Sequence, residues 1–281
     1  MNIFIPQWQG AGNSDFIYAS ALKVRKLLSN LKFIEPKSMI NTSSPTRNNI
    51  QNYDVLLSNL NSIKETIEKQ KPKNLFTLGG DCSVDIIPIN YLNKKYSGDL
   101  SIIWIDAHAD LNTPQSSPSK TLHGMPLGIL LGDGDEEFIK LTFSKINTTN
   151  IFFAGLRDTD PPEEEYIKQN KISVISCTEL EDNFDSTLRS LGRLTSNNIY
   201  VHIDMDVLDP TEFSEVMCPT VNGITKDTLV KLIAYLTKHK NIAGGSVLEY
   251  TTTNPQDLKW IAKLFLKLTG DSRLTSLEIV S

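Results

Sequence analysis

Short apolar runs alternate along the chain with longer amphipathic stretches, and that alternation predicts the elements before any single residue is considered. Leu100-Ser101-Ile102-Ile103-Trp104-Ile105 is apolar at nearly every position and rich in Ile, the pattern of a strand buried on both faces. Similar runs stand at residues 3–5, 75–78, 151–155, 172–175 and 198–203, and Gly245-Ser246-Val247-Leu248 leads to Glu249. A last strand is expected at 276–280. Helices are predicted over 14–28, 55–69, 126–131 and 225–238. Residues 41–52, polar and carrying Pro45, read as a surface excursion. Residues 112–121, rich in Pro, Ser and Thr, read as a loop that is either a spacer or the wall of a binding site.

Strands and helices alternate with no internal repeat and no interdomain linker, so one domain over 1–281 is expected, a three-layer α/β/α sandwich with a mostly parallel sheet. Ligands of such sheets bind at the carboxyl ends of the strands. The predicted strands ending near 78, 105, 155, 203 and 248 all run into clusters of acidic, His or Gly residues. Asp106, His108 and Asp110 set three metal-capable side chains within five residues, and alternate residues share a face where the chain stays extended. Asp204 and Asp206 repeat that spacing after an apolar run, where uncompensated charge is costly and a cation would offset it. An oxygen-rich set with one imidazole suits Mn or Mg, and the imidazole favours the transition metal. The plainer alternative, carboxylates capping loops through backbone hydrogen bonds, stays open on spacing alone.

Composition narrows the class. The 281 residues, 40% hydrophobic and 22% charged, fit one globular domain able to bury a substantial core. A net charge of -5, from 28 basic and 33 acidic residues without long runs of either sign, argues against a nucleic-acid surface and leaves room for a cationic small substrate. Cys82, Cys177 and Cys218 are odd in number and far apart, which speaks against a disulfide framework and for a reducing cytoplasm. The first residues have no basic region of the signal-peptide type, and no stretch approaches a membrane span, so a soluble cytosolic protein without a membrane partner is expected.

Gly79-Gly80-Asp81-Cys82-Ser83, Asp106-Ala107-His108-Ala109-Asp110, His123-Gly124 and Asp204-Met205-Asp206-Val207-Leu208-Asp209-Pro210 resemble, in order and spacing, the successive motifs of the arginase, or ureohydrolase, family. The resemblance covers nearly the whole chain. It implies an arginase-like fold, two manganese ions per subunit, a homo-oligomer (trimer or hexamer) and hydrolysis of a guanidino substrate. Carried over by motif, one metal would take Cys82, Asp106, Asp110 and Asp204, and the other Asp106, His108, Asp204 and Asp206. Asp110 would orient the attacking hydroxide, His123 would pass a proton to the leaving amine, and Glu249 would pair with the guanidinium. Asn112 and Ser119 correspond to positions that hold an α-carboxylate, Asp160 and Glu163 to positions that hold an α-ammonium. That set favours L-arginine over a decarboxylated substrate; an agmatine or guanidinobutyrate hydrolase, and a catalytically silent relative, are the alternatives.

The sequence also departs from the family. Cys82 stands where most relatives carry a histidine ligand. A thiol must lose a proton, from a reference pKa of roughly 8.5, before it binds, so its metal is expected to bind weakly and more tightly as pH rises. The same replacement resembles arginase-like hydrolases that act on Nω-hydroxy-L-arginine and release hydroxyurea. The family's Glu-x-Asn-Pro ending is altered, with Asn254-Pro255 five residues beyond Glu249. Cys218 is expected to be a structural thiol, and His202 a satisfied core histidine in place of a small residue.

Overall fold

The computed structural model describes residues 1–12, 14–191 and 196–271. Its eight strands are β1 (Asn2–Phe4), β2 (Phe33–Ile34), β3 (Leu75–Leu78), β4 (Leu100–Ile105), β5 (Ile151–Ala154), β6 (Ser173–Ile175), β7 (Asn198–Ile203) and β8 (Asn241–Val247). They form one sheet in the order β2-β1-β3-β8-β7-β4-β5-β6, and every registered pair is parallel. The expected "mostly parallel" sheet is thus parallel throughout its described strands. The strand expected at 276–280 lies outside the described residues.

The helices are α1 (Phe16–Leu27), α2 (Tyr53–Gln70), α3 (Ile86–Lys95), α4 (Pro126–Leu130), α5 (Glu136–Leu141), α6 (Pro161–Asn170), α7 (Cys177–Asp182), α8 (Phe184–Leu191), α9 (Lys226–His239) and α10 (Pro255–Thr269). Each long helix turns an apolar stripe to the sheet: Ile17, Ala21 and Val24 in α1, and Leu56, Leu60, Ile63 and Ile67 in α2, recur at three- and four-residue intervals and are buried. The period-2 alternation of the strands divides the core. Ile103 and Ile105 of β4 face α1, α9 and α10, while Leu100, Ile102 and Trp104 face α2, α3, α4 and α5. Helices therefore cover both faces, the expected three layers, and β4 and β7 are buried at every position.

Three helices of ten residues or more, α3, α6 and α10, stand where the hydrophobic pattern predicts none. α3 buries Ile86, Ile87, Ile89, Asn90, Leu92 and Asn93, so its burial leaves no clean polar face to mark a helical period. α10 starts at Asn254-Pro255, which reads as a loop: the Asn254 side chain accepts a hydrogen bond from Gln256 N, Pro255 occupies the first turn, and Gly270 ends the helix at φ 66°. No helix among the described residues is long and apolar enough to cross a membrane.

Candidate metal centre

The carboxyl ends of β3, β4, β7 and β8 are adjacent, and each turns sharply into the same hollow. After β3, Gly80 takes φ 95°, and a Cβ there would lie 2.4 Å from the Ile5 carbonyl oxygen, so only glycine lets the chain bend tightly into Asp81 and Cys82. After β4, Asp106 is pinned through both oxygens: Oδ1 accepts from His108 N at 2.7 Å and Oδ2 from the Trp104 indole at 2.9 Å. After β7, Asp204 caps the turn Met205–Val207 by accepting from Asp206 N at 2.8 Å. After β8, Glu249 takes φ 63° and donates its backbone N–H to Gly80 O at 3.0 Å. Asp110 is also left-handed, at φ 52°. Non-glycine residues hold that conformation only where the surroundings enforce it.

These turns bring the expected ligands together. His108 Nδ1 lies 2.9 Å from Asp206 Oδ2 and 3.5 Å from Asp106 Oδ1. Cys82 Sγ lies 3.0 Å from Asp204 Oδ2. Donor atoms within 4.8 Å of one another fall into three groups: Asp106, His108 and Asp206; Cys82, Asp204 and Glu249; and Cys82, Asp106, Asp110 and His202. Asp106 is common to the first and third, as expected of a residue shared between two metals. Asp204 groups with Cys82 but not with His108, and His202, expected to be a core residue without a role, joins the set.

Electrostatics favour a cation. Asp106, Asp110, Asp204, Asp206 and Glu249 are all buried. Burial, reinforced by neighbouring carboxylates, pushes Asp110 and Asp204 well above the usual carboxylate range, and burial with Asp106 pushes Asp206 up to about 6. Burial acts the same way on Asp106, but hydrogen bonds from His108 and His202 hold it low. Burial also raises the Cys82 thiol, with Asp204 and Asp110 adding to the shift. Asp110 Oδ2 and Glu249 Oε2 are buried without a hydrogen-bond partner among the described residues. Crowded carboxylates with orphaned oxygens, two imidazoles and a thiol are a donor set that fits divalent first-row metals.

Above this floor opens a cavity of ≈ 230 Å³, below the usual ~300–1,000 Å³ of drug-sized pockets and suited to a small substrate. Cys82, His108, Asp110, Asp204, Asp206 and Glu249 line its base, and Asn112, Ser119, His123, Asp160 and Glu163 its wall, with Cys218 at the edge. Asp106 sits beneath. His123 Nδ1 is 3.1 Å from Glu249 Oε1, whose charge raises the imidazole against its burial. That oxygen also accepts from Cys82 N at 2.9 Å, so Glu249 is braced despite the longer loop before Asn254-Pro255. Asn112 Nδ2 donates to Asp160 Oδ2 at 2.8 Å, which sets the two expected head-group contacts side by side. Ser119 is bonded to the Thr121 hydroxyl at 2.6 Å.

Glu163 also serves the backbone: its two oxygens accept from Leu111 N and Asp160 N, each at 2.9 Å, so it closes a capping box and braces Asp160 while lining the cavity. The Asp-x-x-Glu spacing at the start of α6 carries that signal in the sequence. Two further buried groups stand behind the set: His202, read from the sequence as a satisfied core histidine, faces the floor, and Asp85, which no sequence motif marks, holds it from behind.

Among known proteins, a family model described as the Arginase family matches residues 23–267. The arginase of Staphylococcus aureus (strain MRSA252) is 32% identical over 186 residues, 64% of this chain and 61% of its own length. That of Bacillus subtilis (strain 168) is 35% identical over 195 residues, 64% of each chain. The chain thus aligns with less than two thirds of the length of these relatives. Among solved structures, the arginase of Entamoeba histolytica, in complex with L-ornithine, superposes with a TM-score of 0.84 at 22% identity over 99% of this chain and 98% of that one. A Bacillus subtilis arginase gives 0.79 at 25% identity over 95% and 96%. With the family's motifs at the ends of its central strands and the model matching most of its length, the chain belongs to the arginase family.

Proposed function

We propose that this protein is a metal-dependent hydrolase of guanidino groups that converts L-arginine or Nω-hydroxy-L-arginine to L-ornithine, with release of urea or hydroxyurea. One observation carries the reading: a single cavity has the carboxylate, imidazole and thiol cluster at its floor and the bonded pair Asn112–Asp160 on its wall. An amino acid carries its carboxylate and ammonium on one carbon. An amide donor beside a carboxylate acceptor matches both at once.

Cys82, Asp106, His108, Asp110, Asp204 and Asp206 would hold two manganese ions. When bound, such a pair lowers the pKa of a water so that hydroxide is available at neutral pH. Asp110, with its free buried oxygen, would orient that nucleophile toward the guanidino carbon. Glu249 would accept hydrogen bonds from the guanidinium. His123 would give a proton to the amine as the C–N bond breaks, so the products are a neutral urea and the ammonium of ornithine. Cys82 leaves the choice between the plain and the N-hydroxylated substrate to experiment. A homo-oligomer, expected from the resemblance alone, and a reducing cytoplasm, which three free cysteines support, belong to the same proposal.

The test is steady-state hydrolysis of the two substrates side by side on manganese-reconstituted protein, following ornithine. Preference for the hydroxylated substrate would mark a specialised enzyme, preference for arginine an ordinary arginase, and activity on neither would end the proposal. Asn112→Ala and Asp160→Ala should each raise KM by about tenfold or more with a smaller change in kcat. An unchanged KM would remove the head-group assignment.

A further inference from the structure

His202 is fully buried near the carboxyl end of β7. Its ring lies flat on the Trp104 indole, 3.4 Å between centroids and 2° between planes. One nitrogen, Nδ1, is 2.8 Å from Asp85 Oδ2. Asp85 in turn accepts from the Tyr200 hydroxyl at 2.8 Å and from the Ser246 hydroxyl. Asp85 accepts the hydrogen bond of Nδ1, so in the neutral imidazole that a metal requires the lone pair stands on Nε2, in place of the proton shared with Asp106. That lone pair faces the site: Nε2 is 3.5 Å from Cys82 Sγ and 3.7 Å from Asp106 Oδ2.

An imidazole whose far nitrogen donates to a buried carboxylate is the arrangement by which proteins aim the other nitrogen at a metal. The separation also fits. A thiolate at ~2.3 Å and an imidazole at ~2.1 Å on one tetrahedral metal stand ~3.6 Å apart. Cys82, Asp106, Asp110 and His202 each offer an atom within 4.8 Å of the others.

We infer that His202 is a ligand of the metal on the Cys82 side, delivered from β7, and that Asp85 is its positioning residue. The inference rests on the metal-hydrolase reading above. The resulting sulfur, nitrogen and two-carboxylate set is softer than the His108 side, so zinc or cobalt should compete with manganese there more than at its neighbour.

X-ray absorption on the wild-type full chain loaded with zinc counts the donors directly. Two imidazoles and one sulfur per pair of zinc ions are expected, from His108, His202 and Cys82. A single imidazole per pair would overturn the role of His202 while leaving the metal-hydrolase reading intact; no bound metal at saturating supply would overturn both. In parallel, His202→Phe keeps a ring on Trp104 and deletes the nitrogen. It should lose one of the two metals, or weaken it by well over tenfold, and Asp85→Asn should weaken the same metal by about tenfold or more. Binding of both metals at wild-type affinity in a folded His202→Phe would refute the assignment. Should that variant not fold, the wild-type donor count still decides.

Discussion

Asp106 lies within reach of both Asp110 and His108, so one amide substitution tests both halves of the site. Asp106→Asn should lower the metal content at both positions and reduce kcat by about 10²–10³-fold, the scale of removing one preorganised electrostatic group. Metal analysis alongside kinetics would check it, and full metal content would refute the shared role. The same carboxylates set a pH dependence. Asp206 titrates at about 6 in the folded chain against an ordinary 3.8, so between those values the folded state binds more protons than the unfolded. Metal-free protein should therefore lose stability as pH rises through that window. Metal binding requires the ionised form, so loaded protein gains over the same range. Thermal melts with and without chelator should show a gap that widens from pH 5 to 7; a constant gap would count against it. At this scale Asp106, His108, Asp110, Asp204 and Asp206 were legible from their density at the ends of predicted strands, although the chain there turns rather than staying extended: residues 205–207 form a tight turn and Asp110 is left-handed. His202 was not, since its meaning depends on where Nε2 points and on a cysteine far away in the chain. Glu163 has a second part that the carried-over role did not include, because its side chain also serves the backbone.

The elements that matter are strand ends, and they are held by one another more than by their own turns. Asp106 N donates to Ala154 O, Asp204 N to Ile105 O and Glu249 N to Gly80 O, so the parallel ladder continues into the site itself. Arg157, in the loop after β5, extends that bracing: its guanidinium reaches the carbonyls of Gly155 at 3.1 Å, Asp206 at 2.8 Å, Thr220 at 2.7 Å and Val221 at 2.9 Å. A lysine cannot reproduce a fork of that width. Arg157→Lys should weaken the metal on the His108–Asp206 side by about tenfold, as loss of an outer partner does, and leave the Cys82 side nearly unchanged. Chelator competition resolves the two affinities, and equal weakening at both would refute the local role. The strands were readable because β3, β4 and β7 are buried on both faces and so mostly apolar. α3 was not, being buried around most of its circumference, and β2, with two residues, is too short to carry a period.

Across the whole molecule the candidate ligands tie together segments far apart in sequence, so metal should act as a cross-link of the fold. Saturation at a hundred times Kd adds ~2.7 kcal/mol, worth about 5–10 °C in Tm for a chain of this size. Removing metal with a chelator should lower Tm by that amount and re-addition restore it; an unchanged Tm would mean the ligands are already satisfied without it. Layering and parallel sense were legible from alternating elements, but strand order was not, because nothing in a local pattern says which strands become neighbours. That order has a consequence for how the chain comes off the ribosome. β2, β1 and β3 form one block and β7, β4, β5 and β6 another, and β8, the last described strand to be synthesised, is the only one that joins them. Cys82 belongs to the first block and Asp106, His108, Asp204 and Asp206 to the second. Until residues 241–247 emerge, the nascent chain exposes two unpaired sheet edges at its centre, open to chaperones or to misassociation, and Cys82 cannot yet meet the ligands of the second block. The complete candidate centre therefore exists only once β8 has joined the two blocks, and a copy that stops short of it can offer a metal no more than part of the set.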